Sequence, residues 1–142
     1  MTFVLDTNVV SELRPARTGR ADPDLVAWAE SVTPSALFLS VMTVLELEVG
    51  IQRVARRDPA QAESLRAWME NGVRTAFAGR VLPFGENTAI LCAGLHVPDD
   101  RPDRDAMIAA TAMQHASTVV TRNVSDYAPT SVPILNPWDT LR

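Results

Sequence analysis

Four carboxylates stand at places in the chain where an α/β protein carries its chemistry. Asp6 closes an apolar run at residues 3–5, and Asp126 follows the β-branched run STVVT. Glu46 and Asp105 fall in the first turn or so of two predicted helices. In an open parallel sheet the ligand crevice lies beyond the carboxyl ends of the strands. If the strands are parallel neighbours, the four carboxylates converge on one edge of the sheet.

Such a cluster predicts a metal site. Like charges that share a site raise one another's pKa, and a divalent cation removes that repulsion. An all-oxygen ligand set without cysteine or histidine favours Mg²⁺ or Mn²⁺ over zinc. Carboxylates that hold one or two such ions suit phosphoryl chemistry, with one ion activating water and the other stabilising the leaving oxygen.

Each acid also has a structural explanation when taken alone. Asp105 could favour a helix dipole, Asp126 could be a turn residue, and Glu46 could be the capping-box partner of Thr43. Asp6 has fewer structural uses, because it lies between a buried strand and Thr7-Asn8. The joint pattern therefore carries more weight than any single carboxylate.

The neighbours of Glu46 sharpen the prediction. Glu48 lies two positions away and therefore points to a different side of the helix. Gly50 lies four positions away and shares the face of Glu46. A glycine inside a helix destabilises it by roughly 1 kcal/mol relative to alanine. We therefore expect a close backbone approach or tight helix packing at Gly50.

Strands and helices alternate along the chain. We predict strands at residues 3–5, 36–41, 118–121 and 132–135, with a short strand or bend at 81–82. Helices are predicted from Val9 to an end at Pro15 and Gly19, from Pro23, from a Thr43 cap to Val54, from Pro59 towards Phe77, over 87–95, and over 104–115 with Asp103 as cap. This alternation predicts an α/β fold of three α/β/α layers, with a central, mostly parallel sheet.

Composition indicates one globular domain spanning residues 1–142. The chain has 46% hydrophobic and 21% charged residues, and its net charge is −4. That acidic balance does not supply a broad basic field for nucleic acid, although a metal cluster can supply local positive charge. The single cysteine, Cys92, can form no internal disulfide. No signal peptide or membrane span is visible, so we expect a cytoplasmic protein.

The residues resemble the PIN-domain ribonucleases, and among them the VapC/FitB-type toxins of bacterial toxin–antitoxin pairs. The matching segments, in order along the chain, are FVLDTNVVSEL, SVMTVLELEVGI, DRDAMIAATAMQH, VVTRNVSDY and ILNPWD. The resemblance implies that the metal ligands and catalytic residues are Asp6, Glu46, Asp105 and Asp126. It implies supporting roles for Thr7, Asn8, Thr121 and Asn123. Tyr127 stands where the family often has phenylalanine.

The resemblance also implies a function. It points to a Mg²⁺- or Mn²⁺-dependent endoribonuclease that leaves 5′-phosphate and 3′-hydroxyl ends, often on structured RNA such as tRNA. It further implies a homodimer, a cognate antitoxin that blocks the site, and DNA contact only through that antitoxin. The cluster Arg53, Arg56 and Arg57 is either a solvated helix face or a contact for RNA phosphates.

Two other functions stay open. A phosphatase with a nucleophilic aspartate requires a second aspartate two residues after the first, but that position is Asn8, and the chain contains no lysine. A non-enzymatic module, acting as the repressor partner of a DNA-binding antitoxin, is the main alternative. The complete set of four acids argues against that role as the sole function.

Overall fold

The computed structural model describes residues 1–14 and 21–139, and five parallel strands form the centre of this part of the chain. Its strands are β1 (Phe3–Leu5), β2 (Leu37–Ser40), β3 (Val81–Leu82), β4 (Thr118–Val120) and β5 (Ile134–Leu135). They lie in the order β3-β2-β1-β4-β5, and all four pairings are parallel. Leu5 lies opposite both Leu39 and Val120, which places β1 between the two other strands that end near polar residues.

Both faces of the sheet are buried. Leu5, Leu39 and Val120 belong to one apolar cluster, whereas Val4 and Val119 belong to another. Successive side chains of a strand point to opposite faces, so the continuous apolar runs fill both clusters.

Helices cover each face. The first face carries α1 (Thr7–Glu12), α2 (Pro23–Ser31), α3 (Val41–Ala55), α4 (Pro59–Trp68) and the short α5 (Arg74–Ala76), with a π-helical segment, Met69–Val73, between the last two. The second face carries α6 (Glu86–Leu95), α7 (Asp103–Gln114) and α8 (Val124–Tyr127). The predicted three-layer α/β/α fold is confirmed. In the described ranges, no helix has the length and hydropathy needed to cross a membrane.

Two predicted helix caps are wrong. Helix α3 begins at Val41, and its cap is Ser40, whose Oγ accepts the N–H of Met42 at 3.0 Å. Thr43 is instead a fully buried residue within the first turn of α3. Helix α7 includes Asp103 and follows Pro102, which offers no capping side chain. Serine and threonine are both favoured as helix caps, so residue type alone does not decide between Ser40 and Thr43.

Other boundaries moved by a few residues. The first helix begins at Thr7 rather than Val9, because Asp6 caps it by accepting the N–H of Thr7. The predicted end of that helix at Pro15 and Gly19 lies outside the described residues. The last strand is shorter than predicted and lies at the edge of the sheet, as expected for a segment next to Pro133.

Candidate active site

The strand order brings the predicted acids to one edge of the sheet. Strands β2, β1 and β4 are adjacent and parallel, and each leads directly into a segment that carries an acid. Asp6 follows β1, Glu46 lies in α3 after β2, and Asp126 lies in α8 after β4. Helix α7 runs back towards the start of β4, so its first turn, with Asp105, lies at the same edge.

Asp6 is held firmly at the centre of this edge. Its side chain is only 4% exposed. Oδ1 accepts the N–H of Thr7 at 2.8 Å, while Oδ2 accepts the hydroxyl of Thr121 at 2.8 Å and the amide of Asn8 at 3.1 Å. Burial raises the pKa of Asp6, and the hydrogen bonds from Thr121, Thr7, Tyr127 and Asn8 act in the opposite direction. The donors therefore stabilise an ionised carboxylate in a buried place.

Glu46 is fixed from the neighbouring helix. The hydroxyl of Thr7 donates to Oε1 of Glu46 at 2.7 Å and lies 3.1 Å from the hydroxyl of buried Thr43. The guanidinium of Arg104 lies 3.8 Å from Oε2 of Glu46. Glu46 lies in the second turn of α3, not the first, and is therefore no capping-box partner of Thr43. Glu48 points elsewhere, as predicted, and pairs with Arg66 at 2.5 Å.

Asp105 lies within the negative field of the other three acids. Burial first, and then the charges of Asp6, Asp126 and Glu46, together raise the pKa of Asp105 to about 6. The hydroxyl of Tyr127 lies 3.5 Å from Oδ1 of Asp105. Burial raises the pKa of Tyr127 as well, so its phenol stays protonated and can donate a hydrogen bond.

Thr121, Asn8 and Asn123 link the end of β4 to the start of α1. The hydroxyl of Thr121 donates to Asp6 and accepts the N–H of Asn123 at 2.9 Å. Asn8 bridges the same segments, since its amide donates to Asp6 while its Oδ1 accepts the N–H of Arg122 at 3.3 Å. Asn123 contributes its main-chain N–H, and its residue is exposed at the edge of the site.

The carboxylate oxygens fit a hard divalent cation, but the acidic side chains are not gathered around one position. In residues 1–14 and 21–139, no three acidic, histidine or cysteine side chains form a ready group of metal ligands. Glu46 is turned towards Thr7 and Arg104, and both oxygens of Asp6 accept hydrogen bonds from protein donors. Mutual repulsion keeps neighbouring carboxylates apart unless a cation compensates their charge. An ion bound here would compete with Arg104 for the carboxylate of Glu46.

A groove of about 310 Å³ runs alongside this site. Thr7 and Glu46 are part of its lining, which is otherwise mainly apolar, with Leu47, Ile51 and Trp68. Gly50 also lines the groove, and a Cβ added there would meet nothing within 4 Å. The predicted close packing at Gly50 is therefore wrong within the described part of the chain. The glycine opens this groove and does not admit a neighbouring helix.

The sequence predictions missed three contacts. The sequence pattern predicts Thr43 as a helix cap, whereas Thr43 contacts Thr7. The pattern does not single out Arg104, and it marks Tyr127 only as a departure from the family. The position of Arg104 directly before Asp105, in the first turn of a helix, was the available signal for a cation near the cluster.

Comparison with known proteins places the chain among relatives of nearly equal length. The PIN domain family matches residues 3–125. Toxin FitB of Neisseria gonorrhoeae is 36% identical over 142 residues, which cover 96% of this chain and 98% of that protein. VapC ribonuclease Y4jK of Sinorhizobium fredii is also 36% identical, with coverage of 96% and 98%.

Solved structures agree with these relatives. FitAcB from Neisseria gonorrhoeae gives a TM-score of 0.87 at 33% identity, and the match covers 97% of this chain and 99% of that one. FitAB bound to an IR36 DNA fragment gives a TM-score of 0.86 at 33% identity, with 96% of both chains covered. Sequence, fold and the order of the four acids lead to one assignment: the chain belongs to the PIN-domain ribonuclease family, in the group that contains toxin FitB and the VapC ribonucleases.

Proposed function

We propose that the protein is a metal-dependent endoribonuclease and the toxin of a toxin–antitoxin pair. One observation carries this proposal: four carboxylates from four segments lie at the carboxyl edge of the sheet, where the charges of the other three act on Asp105. The near-full-length likeness to a named ribonuclease and a named toxin supports the reaction class.

In this proposal the metal ligands and catalytic residues are Asp6, Glu46, Asp105 and Asp126. Mg²⁺ or Mn²⁺ fits their all-oxygen donors. When bound, such an ion polarises the phosphate and lowers the pKa of an attacking water.

The protein's own residues prepare this chemistry. Three donors fix the Asp6 carboxyl in its buried position, and Thr7 holds Glu46 on the side of the site nearest α1. Thr121 and Asn8 fix the end of β4 to Asp6, and the N–H of Asn123 orients the hydroxyl of Thr121. Above pH 6, Asp105 loses its proton and completes the ligand set.

The expected partners follow from the relatives. We propose a small cognate antitoxin that covers the site, and DNA contact through that antitoxin alone, since FitAB is a complex bound to DNA. The apolar groove beside Glu46 is a suitable place for an antitoxin segment that blocks access. We further propose a homodimer of single-domain chains, acting in the cytoplasm on tRNA or another structured RNA.

The direct test is cleavage of a labelled total RNA pool by the purified chain. Reactions contain Mg²⁺, Mn²⁺ or EDTA, and the wild type is compared with Asp6→Asn, which keeps the shape and removes the charge. Asp99→Asn is a matched control, because this carboxylate is exposed in the loop before α7. Discrete fragments that require metal, persist in the control and disappear in Asp6→Asn are expected.

The same experiment separates the alternative function. A folded wild type that binds Mn²⁺ but cleaves nothing in the pool, even with chain free of any copurified protein, would favour the non-enzymatic repressor partner. Fragments that persist in EDTA would contradict the metal-dependent mechanism.

A further inference from the structure

Tyr127 is a buried phenol whose polar end reaches the acidic edge. It is the only tyrosine of the chain and is fully buried. Its ring packs with Val4, Ile108 and Val119 on the second face of the sheet. Its hydroxyl donates to Oδ1 of Asp105 at 3.5 Å and lies near enough to Asp6 to lower the pKa of that carboxyl. One side chain therefore joins the apolar core to two carboxylates of the site.

The donors to these two carboxylates are unequal in number. Asp6 accepts from Thr7, Asn8 and Thr121. Within the described residues, the hydroxyl of Tyr127 is the one hydrogen-bond donor to Asp105. Loss of that hydroxyl would leave Asp105 held by its helix alone, while Asp6 would keep three donors.

A neutral phenol suits this position better than a cation. Neighbouring carboxylates repel each other, and a donor between them lowers that repulsion without adding a charge. A buried arginine or lysine would neutralise the carboxylates and compete with a metal ion. A phenylalanine would preserve the packing on Val4 and Ile108 but remove the donor.

We propose that Tyr127 is a positioning residue, whose hydroxyl holds the Asp105 carboxylate next to Asp6 so that both can bind one divalent cation. This inference rests on the proposed function. Residues that orient metal ligands commonly change metal affinity by 10- to 100-fold when they are removed.

The test measures Mn²⁺ binding to the metal-free chain without RNA, by the electron paramagnetic resonance signal of free Mn²⁺. Tyr127→Phe should weaken Mn²⁺ binding about tenfold. Thr111→Val is the matched control, because it removes a buried hydroxyl of α7 that donates to the carbonyl of Met107 at 2.8 Å. That control should bind Mn²⁺ as the wild type does, although the loss of its buried hydrogen bond should lower its thermal midpoint.

The double variant Tyr127→Phe with Asp105→Asn shows whether the effect passes through Asp105. In the Asp105→Asn background, Tyr127→Phe should no longer change Mn²⁺ affinity. An equal loss in both backgrounds, or equal Mn²⁺ affinity of Tyr127→Phe and wild type, would overturn the inference. A wild type without Mn²⁺ binding would overturn the metal site of the proposed function, and this inference with it.

A second measurement avoids mutation of the tyrosine. Because the chain has a single tyrosine, incorporation of 3-fluorotyrosine gives one ¹⁹F resonance. Addition of Mg²⁺ should shift this resonance in the wild type and leave it unmoved in Asp105→Asn. An unchanged ¹⁹F chemical shift in a chain that binds Mg²⁺ would refute the positioning role. This test holds even if Tyr127→Phe does not fold.

Discussion

Replacement of Asp105 by asparagine should stabilise the metal-free protein at neutral pH. The pKa of this carboxyl is raised from 3.8 to about 6 by burial and by Asp6, Asp126 and Glu46. The folded chain therefore holds the proton more tightly than the unfolded chain, so stability falls as the pH rises from 3.8 through 6. Asparagine carries no charge, so the Asp105→Asn protein does not lose this stability as the pH rises.

The size of the effect follows from the raised pKa. A rise from 3.8 to about 6 corresponds to at most about 3 kcal/mol at pH 7.5. Asp105 is half-buried, and solvent screening reduces that upper limit to about 1 kcal/mol. For a domain of this size, 1 kcal/mol shifts the thermal midpoint by about 3–5 °C.

Thermal unfolding of wild type, Asp105→Asn and the exposed control Asp99→Asn should be followed in EDTA at several pH values. The gain for Asp105→Asn should be present at pH 7.5 and much smaller at pH 4, where the folded wild-type chain holds the proton and the unfolded chain has only partly lost it. Addition of Mg²⁺ should then stabilise the wild type more than Asp105→Asn, because a ligand stabilises the state that binds it.

Two results would refute this reasoning. The first is a metal-free Asp105→Asn protein that is less stable than the wild type at pH 7.5, since the carboxylate would then contribute favourable contacts. The second is equal stabilisation of both proteins by Mg²⁺, since Asp105 would then not be a ligand.

Three further predictions use the same site. Mn²⁺ affinity of the wild type should fall as the pH drops through about 6, because protons compete at Asp105; a titration from pH 5 to 8 checks this, and a constant affinity contradicts it. Arg104→Gln should tighten Mn²⁺ binding about two- to five-fold, since it removes a cation 3.8 Å from Glu46; Arg66→Gln, whose partner is Glu48, should leave the affinity unchanged. Gly50→Ala should raise the free energy of unfolding by about 0.5–1 kcal/mol in urea, because the added Cβ meets open space; destabilisation would contradict this.

The sequence predicted the acidic edge because strand ends are easy to locate. Apolar runs at residues 3–5 and 118–121 mark two buried strands, and Asp6 and Asp126 follow them within a few positions. Parallel strands present their carboxyl ends together, so four distant positions could be placed at one edge without contacts in hand. Helix starts were harder, since Ser40 and Thr43 are both good caps and only the fold decides between them.

What the sequence could not supply is the pairing of each acid with its partner. Thr7 and Thr43 are 36 positions apart, yet their hydroxyls lie 3.1 Å apart beside Glu46, because β1 and β2 pair in register and deliver α1 and α3 to the same edge. Arg104 of α7 likewise reaches Glu46 of α3, because the fold brings the two helices to that edge. Such contacts depend on strand order and helix orientation, which local patterns of hydrophobicity do not encode. The type of chemistry therefore follows from residue types and strand ends, whereas the charge state of each carboxylate follows from neighbours that only the folded sheet brings together.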